Sequence, residues 1–167
     1  MFMKIFLTLL MMVGAISIAA CSSSGVSSDY WDISDEVISQ HVTTQTSLGP
    51  GPSFDPREGP AETTINVRLG ELRIAAAEFN ALSFRWQAEV APSDFSVHYD
   101  LVTQLLESSN SGMSFAVQAF EEMSRQVEQP VPNTDAANVL VRQSETSLAE
   151  ANAFASAANR ERDRLNK

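Results

Sequence analysis

The chain has 167 residues, 44% of them hydrophobic, and sets 21 acids against 11 Lys and Arg for a formal net charge of −10. An acidic chain lacks the positive footprint that phosphate backbones require, which excludes nucleic acid as a partner. A single cysteine excludes an intrachain disulfide, and the two histidines, His41 and His98, have neither the i, i+4 nor the Cys/His spacing of a zinc site, so neither a metal nor another cofactor is expected.

The chain opens on Lys4 and an apolar run over residues 5–18, interrupted by Thr8, Gly14 and Ser17. That run is shorter than the roughly 20 residues a membrane-spanning helix needs, so it reads as a secretory leader. It ends in Ile18, Ala19, Ala20 and Cys21, an aliphatic residue, two small ones and the lone cysteine. This stretch resembles the lipobox of bacterial lipoproteins. The resemblance covers residues 1–21 and implies cleavage between Ala20 and Cys21, with diacylglycerol and an N-linked acyl chain of the palmitate class on Cys21. Each buried CH₂ contributes about 0.8 kcal/mol, so several chains hold a protein firmly in a bilayer. The competing reading is an ordinary leader cut near Ala19 or Ala20 that leaves Cys21 as a free thiol in an oxidising compartment. In the lipoprotein sorting pattern of enteric bacteria, Asp after the cysteine retains the protein at the inner membrane; Ser22 here implies the outer membrane.

Residues 22–61 show no sustained apolar period, are rich in Ser, Thr, Gly and Pro, and carry Pro50, Pro52, Pro56 and Pro60. They read as a flexible tether with an r.m.s. span of roughly 35 Å. Tyr30 and Trp31, followed by Ser34-Asp35-Glu36-Val37-Ile38, interrupt it. Ser34 could cap a short helix there, or the β-branched residues that follow could extend it. The two aromatics belong either at the headgroup level or, preferred slightly, packed back on the folded part.

Three long helices are expected next. Ile65, Leu69, Leu72, Ala76, Phe79, Ser83, Trp86 and Val90 recur at alternating spacings of 4 and 3 until Pro92. After an N-cap at Ser93 or Asp94, the pattern continues through Phe95, Tyr99, Val102, Leu106, Ser109, Met113, Ala116, Phe120, Met123 and Val127. Residues 108–112, Ser-Ser-Asn-Ser-Gly, are poor helix formers, but the register is unbroken across them, so one continuous helix is expected. Asn133 or Thr134 caps the third helix, whose seam is Ala137, Val141, Ser144, Leu148, Ala151, Ala155, Ala158, Arg162 and Leu165. Lengths of roughly 29 to 34 residues, or about 44–51 Å, with short connections indicate an up-down-up bundle. Its waist is expected where Ala76, Ser109, Gly112, Ala151 and Ala155 come level, with Phe79 and Phe154 filling beside it.

No GxSxG, P-loop or glycine-rich phosphate cradle is present, and no catalytic residue is assigned. His98-Tyr99-Asp100 and Glu121-Glu122 are helix neighbours whose side chains diverge, so solvated faces are expected for both. Arg160, Arg162, Arg164 and Lys167 cluster at the end of the third helix. They complement the helix dipole or, at an end expected to face away from the anchoring membrane, bind an acidic partner or the wall. An alanine-rich helix ending in Arg164-Leu165-Asn166-Lys167, on a chain whose mature part starts Cys21-Ser22-Ser23, is similar to the major murein lipoproteins. That similarity is confined to the ends and implies attachment of Lys167 to peptidoglycan.

The expectation is therefore an all-α protein: a signal peptide over 1–20, a lipidated tether over 21–61 and a three-helix bundle over 62–167. It would face the periplasm from the outer membrane as a structural or protein-interaction module rather than an enzyme. Its partners would be the membrane, an envelope protein or further copies of itself. The alternatives are an accessory subunit or enzyme without a recognisable motif, and a peptidoglycan-linked lipoprotein.

Overall fold

The computed structural model describes residues 28–48, 62–129 and 133–167. The leader, the Ile18 to Cys21 motif and the proline-rich stretch over 49–61 lie outside the described residues. The described chain is all-α and contains four long helices where three were expected: α1 (Ser28–Leu48), α2 (Glu62–Gln87), α3 (Ser96–Val127) and α4 (Asp135–Leu165).

The added helix, α1, occupies the middle of the expected tether. Tyr30, Ser34, Val37, His41 and Thr44 follow the same 4, 3, 4, 3 spacing as the other seams, and all five are buried. Three of the five are polar, which hides the period from a reading based on apolar residues. Ser34 is therefore a buried seam residue inside a helix and not a cap, and Tyr30 and Trp31 pack on the bundle.

Helix α2 stops at Gln87, short of Pro92, leaving Val90 outside the helix and 87% exposed instead of on the seam. A 3₁₀ turn over Ser93–Phe95 leads into α3 with Phe95 buried and no side-chain cap from Ser93 or Asp94. Helix α3 runs unbroken through Ser108 to Gly112, as the register requires. At the start of α4 the Asp135 N–H donates to Asn133 Oδ1 at 3.0 Å, so Asn133 satisfies one of the orphan donors of the first turn.

Helix α3 is the centre of the molecule. Besides most of the expected seam, whose last member Val127 is instead 38% exposed at the end of the helix, it buries His98, Leu105, Gly112 and Ala119, because it meets α2, α4 and α1 on different faces. Its links to α2 run in reversed residue order: Thr103 accepts from Trp86 Nε1 at 3.0 Å, Asn110 donates to Ser83 at 2.8 Å, and Glu121 pairs with Arg73 at 2.7 Å. Against α4 the approach is close at Gly112. Ser144 Oγ donates to the Gly112 carbonyl at 2.8 Å, and a Cβ built on Gly112 would lie 2.8 Å from Leu148 Cγ. The waist thus forms at Gly112, Ser144 and Leu148, about two turns nearer the start of α4 than expected. Alanine and serine on the α4 seam allow this approach, since a larger side chain at these positions would hold the two helices apart.

Candidate functional site

The chemistry-bearing side chains collect where α1 meets the rest of the bundle. His98 was expected in solvent and His41 in the tether, yet both are fully buried. Each ring joins α1 to another helix. His98 Nδ1 lies 2.8 Å from Tyr30 Oη, and its Nε2 lies 3.5 Å from Ser34 Oγ. His41 Nδ1 lies 3.0 Å from Ser109 Oγ, and its Nε2 lies 3.0 Å from Asn152 Oδ1. The amide oxygen of Asn152 can only accept, so His41 carries its proton on Nε2 and accepts from the Ser109 hydroxyl at Nδ1. On His98 the corresponding arrangement is Tyr30 donating to Nδ1 and Nε2–H facing Ser34.

Both rings are therefore neutral bridges. Burial pushes His98 down to about 4, and the nearby Arg162 charge adds to this, against smaller opposing effects of Glu161 and Asp35. Burial also lowers His41, opposed by its bond to Asn152. Tyr30 is held well above the ordinary phenol range by burial and by Tyr99. Every buried side-chain polar atom among the described residues has a partner.

Around the His98 layer the bundle ends in aromatic rings. Tyr30 packs against Trp31, Trp86 and Phe95 with centroids 5.0–6.2 Å apart, and Trp86 stacks on Tyr99 at 5.0 Å. Further links hold α1 to α2 and α4: Gln40 donates to Glu78 at 2.6 Å, Arg85 pairs with Glu36 at 2.8 Å, and Gln45 donates to the Leu148 carbonyl at 3.2 Å.

The expected cation cluster is divided. Arg162 is half-buried, pairs with Asp35 and lies 5.0 Å above the Trp31 ring, so it belongs to the α1 seam. Arg164 pairs with Glu161 at 2.5 Å, while Arg160 and Lys167 are exposed. The Arg162 pair also brings the end of α4 beside the first turns of α1. The expectation that the cations face away from the chain's entry fails for this reason: the chain returns as α1 before α2 begins. Asp29, Asp32, Asp35, Glu161 and Asp163 share that end, which leaves it without a positive footprint. Cys21 and Ala20 lie outside the described residues.

Two open grooves flank α2. One, of about 680 Å³, lies between α2 and α3, and the other, of about 380 Å³, between α1 and α2. Neither is lined by a histidine, and no cluster of three His, Cys, Asp or Glu able to hold a metal occurs among the described residues. With both ring nitrogens of each histidine engaged, the layers can respond to protons and fix the register of α1, but they present no free base to a substrate. The sequence signal for this site was the 4, 3 spacing from Tyr30 to Thr44, legible once polar residues are allowed on a seam. Comparison with protein-family models, with curated proteins and with solved structures gives no match.

Proposed function

We propose that this chain is a bacterial envelope lipoprotein, anchored in the outer membrane through Cys21, that presents an acidic four-helix module to the periplasm for structural or protein-protein contact. The observation that carries this reading is the sequence Ile18-Ala19-Ala20-Cys21 behind a short apolar leader. The reversed order of the α1–α2, α2–α3 and α1–α4 links supports an alternating up-down arrangement of the helices. The histidines support a scaffold rather than an enzyme, since their ring nitrogens are used to hold α1.

Under this reading, Cys21 precedes Ser28 by seven residues, a reach of at most about 25 Å. The lipid then holds the aromatic end of the bundle close to the bilayer, instead of letting it range on a long tether. Lys167 follows the end of α4 and so lies on this same side, away from the wall. That placement supports a free Lys167 over a peptidoglycan-linked one.

Metabolic labelling with a palmitate analogue tests the anchor. The chain should incorporate label, and Cys21→Ser should lose it and accumulate as unprocessed precursor. Label retained by Cys21→Ser overturns the assignment.

A further inference from the structure

The outer face of α2 carries a second seam. Val67, Gly70, Ile74, Ala77, Ala81 and Phe84 follow one another at spacings of 3, 4, 3, 4, 3, and all six are exposed. Val67, Ile74 and Phe84 are 59%, 63% and 75% exposed, on the side of the helix opposite buried Ile65, Leu72 and Phe79. A solvent-facing helix surface has no reason to keep a heptad of apolar and small residues; polar residues belong there. Neighbouring α1 and α3 fall away on either side of α2, leaving the two grooves and making α2 a ridge.

We infer that this ridge is a dimerisation surface whose occupant is α2 of a second copy of the chain, lying parallel to the first. Three observations select that occupant. Val67, Ile74 and Ala81 fall at a positions and Gly70, Ala77 and Phe84 at d, and in a parallel pairing β-branched a positions favour two strands. The flanking residues are complementary in that orientation, since each g position faces the e position five residues on in the partner. Arg73, exchanging its surface pair with Glu121, then faces Glu78, while Asn66 and Asn80 face Glu71 and Arg85, which keep their own-chain partners Arg68 and Glu36, so that no like charges are opposed. A fully overlapped antiparallel pairing would set Glu71 of each copy against Glu78 of the other. The area is also sufficient: covering the six residues and their flanks on both copies removes roughly 1,000 Å² from water, the lower limit of specific interfaces. Gly70 adds room for close approach, because a Cβ there would meet nothing within 4 Å in its own chain.

The parallel register predicts that Ala77 of one copy faces Ala77 of the other. In the full chain in its native envelope, Ala77→Cys should give a disulfide-linked dimer on mild oxidation. Ser156→Cys, on exposed α4 surface, and the chain without an added cysteine should not. Adding Phe84→Glu should reduce the Ala77→Cys dimer at least about tenfold, while thermal unfolding stays unchanged because Phe84 touches no core. Arg73→Glu should weaken the dimer, and Glu78→Arg in the same chain should restore it. Cross-linking of Ala77→Cys no greater than the controls, persistence of the dimer with Phe84→Glu, or an adduct to a different protein would each overturn the inference.

Discussion

The seam between α3 and α4 and the seam that holds α1 have the same period but opposite chemistry. Between α3 and α4, Gly112, Ser144, Ala151, Ala155 and Ala158 are buried, and Ser144 donates to the Gly112 carbonyl at the waist. Around α1, Ser34, His41 and Thr44 share the seam with Tyr30 and Val37, and the contacts run through hydrogen bonds to His98, Ser109 and Asn152. Close apolar packing is insensitive to pH and tolerates no extra volume. Buried polar bridges gain little net stability when complete, and they are costly when one partner is lost or charged. Helix α1 should therefore be the conditional part of the fold, while α2, α3 and α4 form its constant part.

The largest effect is expected in the constant part. Phe79 is fully buried, so Phe79→Ala should destabilise by about 3–5 kcal/mol and shift the unfolding of all helices together in a denaturant titration. His41→Ala should cost about 2–3 kcal/mol, by leaving a cavity and stranding the Ser109 hydroxyl. Its signature should differ: tryptophan fluorescence, from Trp31 on α1 and from Trp86 packed against Tyr30 of α1, should change before the helical signal of α3 and α4 is lost.

Acid sharpens the comparison further. Burial holds His98 near 4 in the folded chain, against about 6.5 when unfolded. Between those values the unfolded chain binds more protons, so stability is full above about pH 6.5 and falls as pH drops toward 4. The loss is on the order of 1–3 kcal/mol for this group. His41, also lowered by burial, acts in the same direction. Denaturant midpoints measured from pH 7.5 to 4 should show this slope, and His98→Gln should flatten it.

Smaller effects probe the two seams singly. Gly112→Ala gains helix propensity of about 1 kcal/mol but sets a Cβ 2.8 Å from Leu148 Cγ and 3.3 Å from the Ser144 carbonyl oxygen. A net loss of about 1 kcal/mol is expected, partly relieved when Leu148→Ala is combined with it. Arg162→Met removes the Asp35 pair and the contact with Trp31 from a partly exposed site, for about 0.5–1 kcal/mol, again felt by α1 first.

The sequence displayed these two seams unequally. Helices α2 and α3 were legible from apolar residues, and unbroken register correctly carried α3 across Ser108 to Gly112 against poor local propensity. Helix α4 was legible from its alanines and serines because the period continues from neighbouring apolar positions. Helix α1 was not, since its polar seam residues Ser34 and His41 are satisfied in the interior only by partners 64 to 111 positions distant, as the His98 and Asn152 bonds show. Single-element patterning cannot see such partners. The placement of Arg162 failed for the same reason: its partners Asp35 and Trp31 sit on the helix that was read as tether. The exposed seam on α2 lay in plain view but was overlaid by the core seam of the same helix.

Amide hydrogen exchange of the full chain, at pH 7 and again at pH 4.5 with rates corrected for intrinsic pH dependence, tests the conditional attachment of α1 most directly. Residues 30–45 should be protected at pH 7, at a level below the centre of α3, and should lose protection at pH 4.5 while α3 and α4 keep theirs. Residues 30–45 exchanging at pH 7 as fast as an unstructured peptide would contradict it, and so would protection that falls equally in all four helices on acidification.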